Sequence, residues 1–300
     1  MPLERSVLQK YREAGKIART LRESVLKTVE EGMAVMDVCE WVENEIRRLG
    51  GHPAFPCNVS INHVAAHYTS PPNDEMLIPE RSLVKVDIGV HIDGYIADTA
   101  VTLCFNSELG PLVETAEQAL SNGIKAIRPD ISTSDFGSMI QRFIESRGFK
   151  PISNLTGHQV DRDMIHTGKT LPNVAHFSTT RIKEGEVFAI EPFVTTAEGG
   201  GRVRDGPPGN IYRLIKQKTV KNPNANKVLN YIKTHYRTLP FAERWLRRAF
   251  SKETVDKGIP SLLESKNLMV YPTLIEVNGK PVAQAEHTVL ITDKGCEVLT

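Results

Sequence analysis

The chain has 300 residues, enough for one large domain or two modest ones, and its 40% hydrophobic and 24% charged content excludes a disordered chain. Lys and Arg number 37 against 36 Asp and Glu, and a net charge of +1 nominates neither nucleic acid nor a membrane surface. Four scattered cysteines (Cys39, Cys57, Cys104, Cys296) with no CxxC argue against a disulfide framework or a cysteine zinc site.

The N-terminus, MPLERSVLQKYREAGKIARTLRE, is charged throughout and has no apolar signal core. With a mean hydropathy of −0.26 and no apolar run of the roughly 18–20 residues a spanning helix needs, a cytoplasmic protein is expected. Residues 3 to 30 read as an amphipathic helix, with Val7, Leu8, Tyr11, Ala14, Ala18, Leu21 and Val25 at three- and four-residue steps. Asp37 is expected to cap a second helix carrying Val38, Trp41, Val42 and Ile46 on one face, with Gly50 just past its end. LVKVDIGV and YIADTAVTL read as strands joined at Asp93-Gly94, a strong hairpin dipeptide. Helical texture returns at 111–127 and 135–148, and strand texture at 152–160, 186–194 and 281–292.

A weak internal repeat organises these elements. A shift of 98 superposes Asp37 on Asp135, Ile46 on Ile144, Gly50 on Gly148 and Pro53 on Pro151. A shift of 104 places Asp87 on Glu191, and one of 188 places Asp98 on Glu286. Two helix-then-hairpin halves, each with two carboxylates at matching positions, are the simplest reading. Asp98 follows Asp87 by 11 residues, whereas Glu286 follows Glu191 by 95, so the second half holds an insertion of 84 residues. GGGRVRDGPPG reads as its Gly/Pro-rich exit, followed by helical stretches such as KVLNYIKTHYR.

The hairpin brings chemistry together. With a two-residue turn at 93–94, Gly89 faces Asp98, and Asp87 becomes a diagonal neighbour of Asp98 on one face, about 7–8 Å away at the backbone. An ionised carboxylate among Val, Ile and Ala is costly unless paired or bound to metal. Lys85 on the same face makes a salt bridge the plain alternative for Asp87, while Glu191 and Glu286 have no adjacent cation. LTGHQVDRDMIHTGKTLP adds His158 and His166 before Glu191. Carboxylates with imidazole suit Mn, Fe, Co or Zn, and two ions sharing bridging carboxylates polarise a water from both sides.

The segments FPCNVSINHVAAHYT (55–69), KVDIGVHIDGYIADTAVT (85–102), LTGHQVDRDMIHTGKTLPN (155–173), EVFAIEPF (186–193) and AQAEHTVL (283–290) together resemble the type 2 methionine aminopeptidases of peptidase family M24, in their archaeal form. The resemblance implies the α+β, pseudo-two-fold pita-bread fold, with a catalytic domain over 1–200 and 271–300 and an inserted helical subdomain over 201–270. It implies two divalent ions (Co, Mn, Fe or Zn) on Asp87, Asp98, His158, Glu191 and Glu286, with Asp98 and Glu286 bridging. Removal of the initiator methionine from nascent chains with a small second residue, by a metal-bound hydroxide, is the implied reaction. Glu191 would shuttle the proton, His67 and His166 would hydrogen-bond the scissile amide and the oxyanion, and Phe55, Ile165 and Tyr271 would form the methionine pocket. His52, His63, His91, His176, His235 and His287 are expected to be structural or on the surface.

Between 211 and 250 there are ten Lys and Arg against one acid, Glu243. Such a lobe on a near-neutral chain is a candidate contact for ribosomal RNA, although a solvated basic face is the simpler reading. No membrane partner is expected, and the family is commonly monomeric. Two rivals share the fold: a proline-specific peptidase such as prolidase or aminopeptidase P, for whose usual preceding domain residues 1–54 leave no room, and a metal-free binding protein, which would have lost ligands.

Overall fold

In the computed structural model, which describes residues 3–300, the first amphipathic stretch forms α1 (Arg5–Thr28) and the second α2 (Val35–Arg48). α1 buries Tyr11, Ala14, Ala18, Leu21 and Val25, the stripe visible in the sequence. Asp37 does not cap α2. A backbone bridge between Ala34 and Leu77 starts the helix earlier, with Ala34 at the cap and Asp37 in the first turn, where its charge favours the helix dipole.

Three short strands follow, β1 (His52–Pro53), β2 (Asn58–Ile61) and β3 (Val64–Ala66), and then the hairpin β4 (Leu83–Ile92) and β5 (Tyr95–Cys104). Its turn residues, Asp93 at φ 51° and Gly94 at φ 90°, both occupy the left-handed region, as a two-residue hairpin turn matching strand twist requires. The pairing runs Gly89 to Asp98 and Asp87 to Ala100. α3 (Gly110–Ala126) and α4 (Thr133–Ser146) come next, then β6 (Lys150–Pro151), β7 (Thr156–Val160), β8 (Thr170–Pro172), β9 (Val187–Ile190) and β10 (Phe193–Thr195). The repeat is structural. α2 and α4 are each 14 residues long, and Gly50 and Gly148 end them at φ 88° and 82°.

The inserted segment opens with β11 (Val203–Leu214), continues through α5 (Pro223–His235), β12 (Phe241–Ala242), α6 (Glu243–Ala249) and α7 (Lys252–Glu264), and returns on β13 (Leu268–Glu276). RDGPPG, a loop on sequence texture, lies inside β11. Register shifts between Asp205 and Pro208 and between Pro208 and Ile211 let the strand accommodate prolines that have no N–H to donate. The helices between 223 and 264 build their own core around Leu229, Ile232, Phe241, Leu246 and Leu262. β12, β11, β13 and β3 form one four-stranded sheet, which ties this lobe to the body.

β14 (Val282–Gln284), β15 (Glu286–Ile291) and β16 (Cys296–Val298) finish the chain. The main sheet runs β1-β4-β5-β15-β9-β7-β8, with β2 also on β4 and β16 on β15. Alternation along its strands decides what each face carries. Ile88 and Val101 pack with residues of α1 and α2, while Phe188, Ile190 and Val289 pack with residues of α3 and α4, so the helices cover one face. The opposite face carries Asp87, Asp98, Glu286 and His158.

Candidate metal centre and active site

Register alone brings the acids together. Ala100 of β5 pairs with Asp87 on one side and with Glu286 on the other, and Asp98 lies two residues from Ala100 on the same face. On the far side of β15, Ala189 pairs with both Thr288 and His158, which puts His158 on this face, and Glu191 follows Ala189 by two residues. Glu191 stands just beyond the end of β9, where its backbone carbonyl accepts a 3.1 Å hydrogen bond from the Asn173 amide. β5 and β15 are stitched together beneath the acids: the Thr288 hydroxyl donates to the Asp98 carbonyl at 2.7 Å, and the Thr99 hydroxyl to the Glu286 carbonyl at 2.8 Å.

His158 Nε2 faces Glu191 Oε1 at 3.2 Å and Asp98 Oδ2 at 3.6 Å. Asp98, His158 and Glu286 each present a ligand atom within 4.8 Å of the others. Two amides that sequence reasoning did not single out complete the arrangement. Asn58 donates to Asp87 Oδ2 and Gln284 to Glu286 Oε2, each at 3.3 Å. Both lie inside the segments FPCNVSIN and AQAEH, and a polar amide in a buried strand was the available signal. Lys85 does not neutralise Asp87. Its buried ammonium donates instead to the carbonyls of Asn62 at 3.0 Å and Val282 at 2.8 Å.

Without a cation these groups cannot all ionise. Burial pushes the Asp87 carboxyl up to about 7. Burial, and then the charges of neighbouring acids, push Asp98, Glu191 and Glu286 well above the ordinary carboxylate range. Burial, with His166 alongside, holds His158 far below the usual imidazole value, so it is a neutral nitrogen donor. Asp87 Oδ1 and Asp98 Oδ1 are buried and have no hydrogen-bond partner. Orphaned carboxyl oxygens beside a neutral imidazole are the donor set of a divalent transition-metal site, and the residues fit one.

All ten residues singled out in the sequence line one cavity of about 290 Å³: Phe55, His67, Asp87, Asp98, His158, Ile165, His166, Glu191, Tyr271 and Glu286. Phe193, Ile211 and Pro240 extend its apolar wall. Phe55 lies against Gly89, where any Cβ would overlap its ring. His166 packs on His158 with ring centres 4.3 Å apart, and His67 meets Tyr271 edge-on at 5.3 Å. Burial lowers both His67 and His166 to about 4, so both are neutral near pH 7. His67 also holds a left-handed backbone, φ 65°, a strained state for a non-glycine residue and one that gathers at functional sites. Among the described residues, none of the other six histidines lines this cavity.

Residues 9–293 match metallopeptidase family M24. The chain belongs to that family. A methionine aminopeptidase of Methanocaldococcus jannaschii is 45% identical over 292 residues, covering 97% of this chain and 98% of the relative. The solved methionine aminopeptidase of Thermotoga maritima superposes with a TM-score of 0.72 at 26% identity, covering 100% of this chain and 98% of that one. A prolidase from Pyrococcus furiosus shares the fold at a TM-score of 0.63 and 18% identity; it covers 99% of this chain, which spans 64% of the prolidase. The architecture is the family's pita-bread fold. The lobe between β11 and β13 lies in the chain between Glu191 and Glu286.

Proposed function

We propose that this M24 peptidase removes the initiator methionine from polypeptides whose second residue is small, with Asp87, Asp98, His158, Glu191 and Glu286 holding two divalent ions. The observation that carries this reading is the cage of carboxylates and one imidazole at an apolar cavity, in a chain 45% identical to a methionine aminopeptidase. Bound there, divalent Co, Mn, Fe or Zn would supply Lewis-acid polarisation of a water and of the scissile carbonyl.

The chain's own residues do the rest. Phe55, Ile165 and Tyr271, with Phe193, Ile211 and Pro240, receive the flexible thioether in an apolar hole that excludes water. His67 and His166, being neutral, present ring N–H groups to the scissile amide and the developing oxyanion without adding charge to the resting site. Glu191, at the end of β9 beside His158, takes up the proton of the attacking water and delivers it to the leaving amine. Asn58 and Gln284 hold Asp87 and Glu286 in place.

Comparing Met-Ala-Ser with Ala-Pro peptides, with and without a chelator, tests the reading. Chelator-sensitive release of methionine alone is expected. Turnover unaffected by chelation rejects the metal cage, cleavage of Ala-Pro favours a prolidase, and no turnover with added Co, Mn or Fe favours a binding protein. The contact of the 211–250 lobe with ribosomal RNA remains part of this proposal, now resting on fewer cations. Arg237, Arg244, Arg247 and Arg248 are engaged by Asp163, Glu43, Glu243 with Asp256, and Glu40, respectively. Neutralising Lys216, Lys218, Lys221, Lys227 and Lys233 should weaken low-salt co-sedimentation with ribosomes; undiminished pelleting removes the idea.

A further inference from the structure

A second cavity, of about 460 Å³, lies at the seam between the inserted helices and the body. Two short segments divide it from the catalytic cavity. Leu239 faces the seam while Pro240 faces the catalytic side, and Asp163 and Ile165 divide in the same way. Its wall is basic and aromatic. Arg47 comes from α2, Arg237 from just beyond α5 and Arg248 from α6, and Tyr231, Tyr236 and Trp245 supply ring surface.

Most of these charges are answered. Arg237 pairs with Asp163 at 2.8 Å, Arg248 with Glu40 at 2.7 Å, and the lining carboxylate Asp93 with Lys10 at 2.9 Å. Arg47 is different. It has no ion pair among the described residues; its Nη1 donates only to the Glu43 carbonyl at 2.9 Å and to Asn44 Oδ1 at 3.4 Å. The nearby Glu43 carboxylate is occupied by Arg244, the Trp245 indole N–H and the Cys57 amide. The Arg47 side chain is exposed, and its guanidinium sits over the Trp245 ring, 5.7 Å from the centre, where it feels first the attraction of Glu43 and then the repulsion of Arg248.

The flat surfaces continue from there. Tyr231 and His235 stack 3.8 Å apart at 17°, and both line the cavity. His91 Nδ1 accepts from the Gly94 amide at 3.1 Å, which leaves its Nε2–H as a donor. A guanidinium with no carboxylate in direct contact suits a phosphate, whose oxygens match its planar donors, and aromatic rings that line the same cavity suit a nucleobase. A volume of this size accommodates a small ligand.

We propose that this seam cavity binds a nucleoside monophosphate, free or as the phosphorylated end of an RNA strand, with the phosphate on Arg47 and Arg248 and the base on the tyrosine and histidine rings. The chain has two tryptophans, so Trp41→Phe leaves Trp245, which lies under Arg47, as the sole emitter. Titrating that protein with adenosine monophosphate should change Trp245 fluorescence saturably, and a 5′-phosphorylated trinucleotide should do the same if the source is an RNA end. Inorganic phosphate, sulfate and adenosine should each act more weakly than the nucleotide. Arg47→Met should weaken binding roughly ten- to a hundred-fold, the loss of one charge-assisted hydrogen bond. Arg248→Gln, which removes only an exposed pair, keeps the test valid if the Arg47 variant fails to fold, and it should weaken binding in the same direction. No saturable response to either nucleotide, an equal response to sulfate, or full binding by Arg248→Gln would overturn the proposal. Because the readout is fluorescence of the whole chain, its failure leaves the aminopeptidase reading untouched.

Discussion

At the scale of single residues, the site combines groups whose charges fit only if a cation is shared. His166→Ala should retain metal and lose about 10²–10³ in kcat, the cost of one oxyanion donor. Metal analysis and steady-state kinetics on the same preparation check this, and a fall in occupancy would mean that His166 acts on the metal rather than on the substrate. The Asp87 carboxyl, raised from 3.8 to about 7, binds a proton in the folded metal-free chain that the unfolded chain has lost. Its contribution to stability is therefore full below about 4 and is lost as pH rises towards 7. His67 and His166, lowered from 6.5 to about 4, act oppositely: their contribution is full above 6.5 and is lost as pH falls. These trends oppose each other in the metal-free protein, whereas the effect of added cation has one sign. A cation must displace the protons that burial holds on Asp87 and its neighbouring acids, so the rise in Tm on adding Mn or Co should grow as pH rises from about 5 through 7. A gain independent of pH, measured by scanning fluorimetry, would contradict the cage. Asp87, Asp98, Glu191 and Glu286 were legible as acids out of place among apolar neighbours. Asn58 and Gln284 were not, because an amide acquires its meaning from the carboxylate it reaches.

At the scale of elements, the β4–β5 hairpin does the positioning, and its turn sets the register. Gly94 sits at φ 90°, and a Cβ there would also press on the Asp163 side chain. Gly94→Ala should cost about 1–2 kcal/mol, read as a lower urea midpoint with an unchanged slope. A slip of one residue would turn Asp87 and Asp98 to opposite faces, so any misregistered fraction should be inactive rather than slow. The Asp-Gly turn, and hence the diagonal relation of the two acids, was legible because local chemistry decides it. The start of α2 and the strand through RDGPPG were not. A backbone bridge from Ala34 to Leu77 decided the first, and pairing with β13 decided the second.

At the scale of the whole molecule, the lobe is fastened by a buried polar knot. Glu43 on α2 pairs with Arg244 on α6, accepts from the Trp245 indole at 2.6 Å, and accepts from the Cys57 amide at 3.1 Å. Arg244 reaches on to the Thr69 hydroxyl at 2.8 Å and the Ser70 carbonyl at 3.1 Å. Glu43→Ala leaves a buried guanidinium unanswered and should cost about 3–5 kcal/mol by chemical denaturation, while Glu43→Leu with Arg244→Met should recover most of it. A loss below about 1 kcal/mol for the single variant would show that water reaches the knot. From sequence, residues 211–250 carried ten cations and one acid, and their partners Glu40, Glu43 and Asp163 were too distant along the chain to be matched with them.

The sequence by itself determined the two-fold plan, the hairpin register and the four acids that stand out of place, because each depends on periodicity, turn chemistry or the cost of placing a charge among apolar neighbours; His158 rather than His166 as the fifth candidate ligand was implied only by the family resemblance. The tertiary structure decided where those charges end. Lys85 sits two residues from Asp87 yet donates to the carbonyls of Asn62 and Val282, and two of the three arginines on α6, Arg244 and Arg248, are spent on the body. Electrostatic partners are chosen by distance through space, and that distance exists only after the chain has closed.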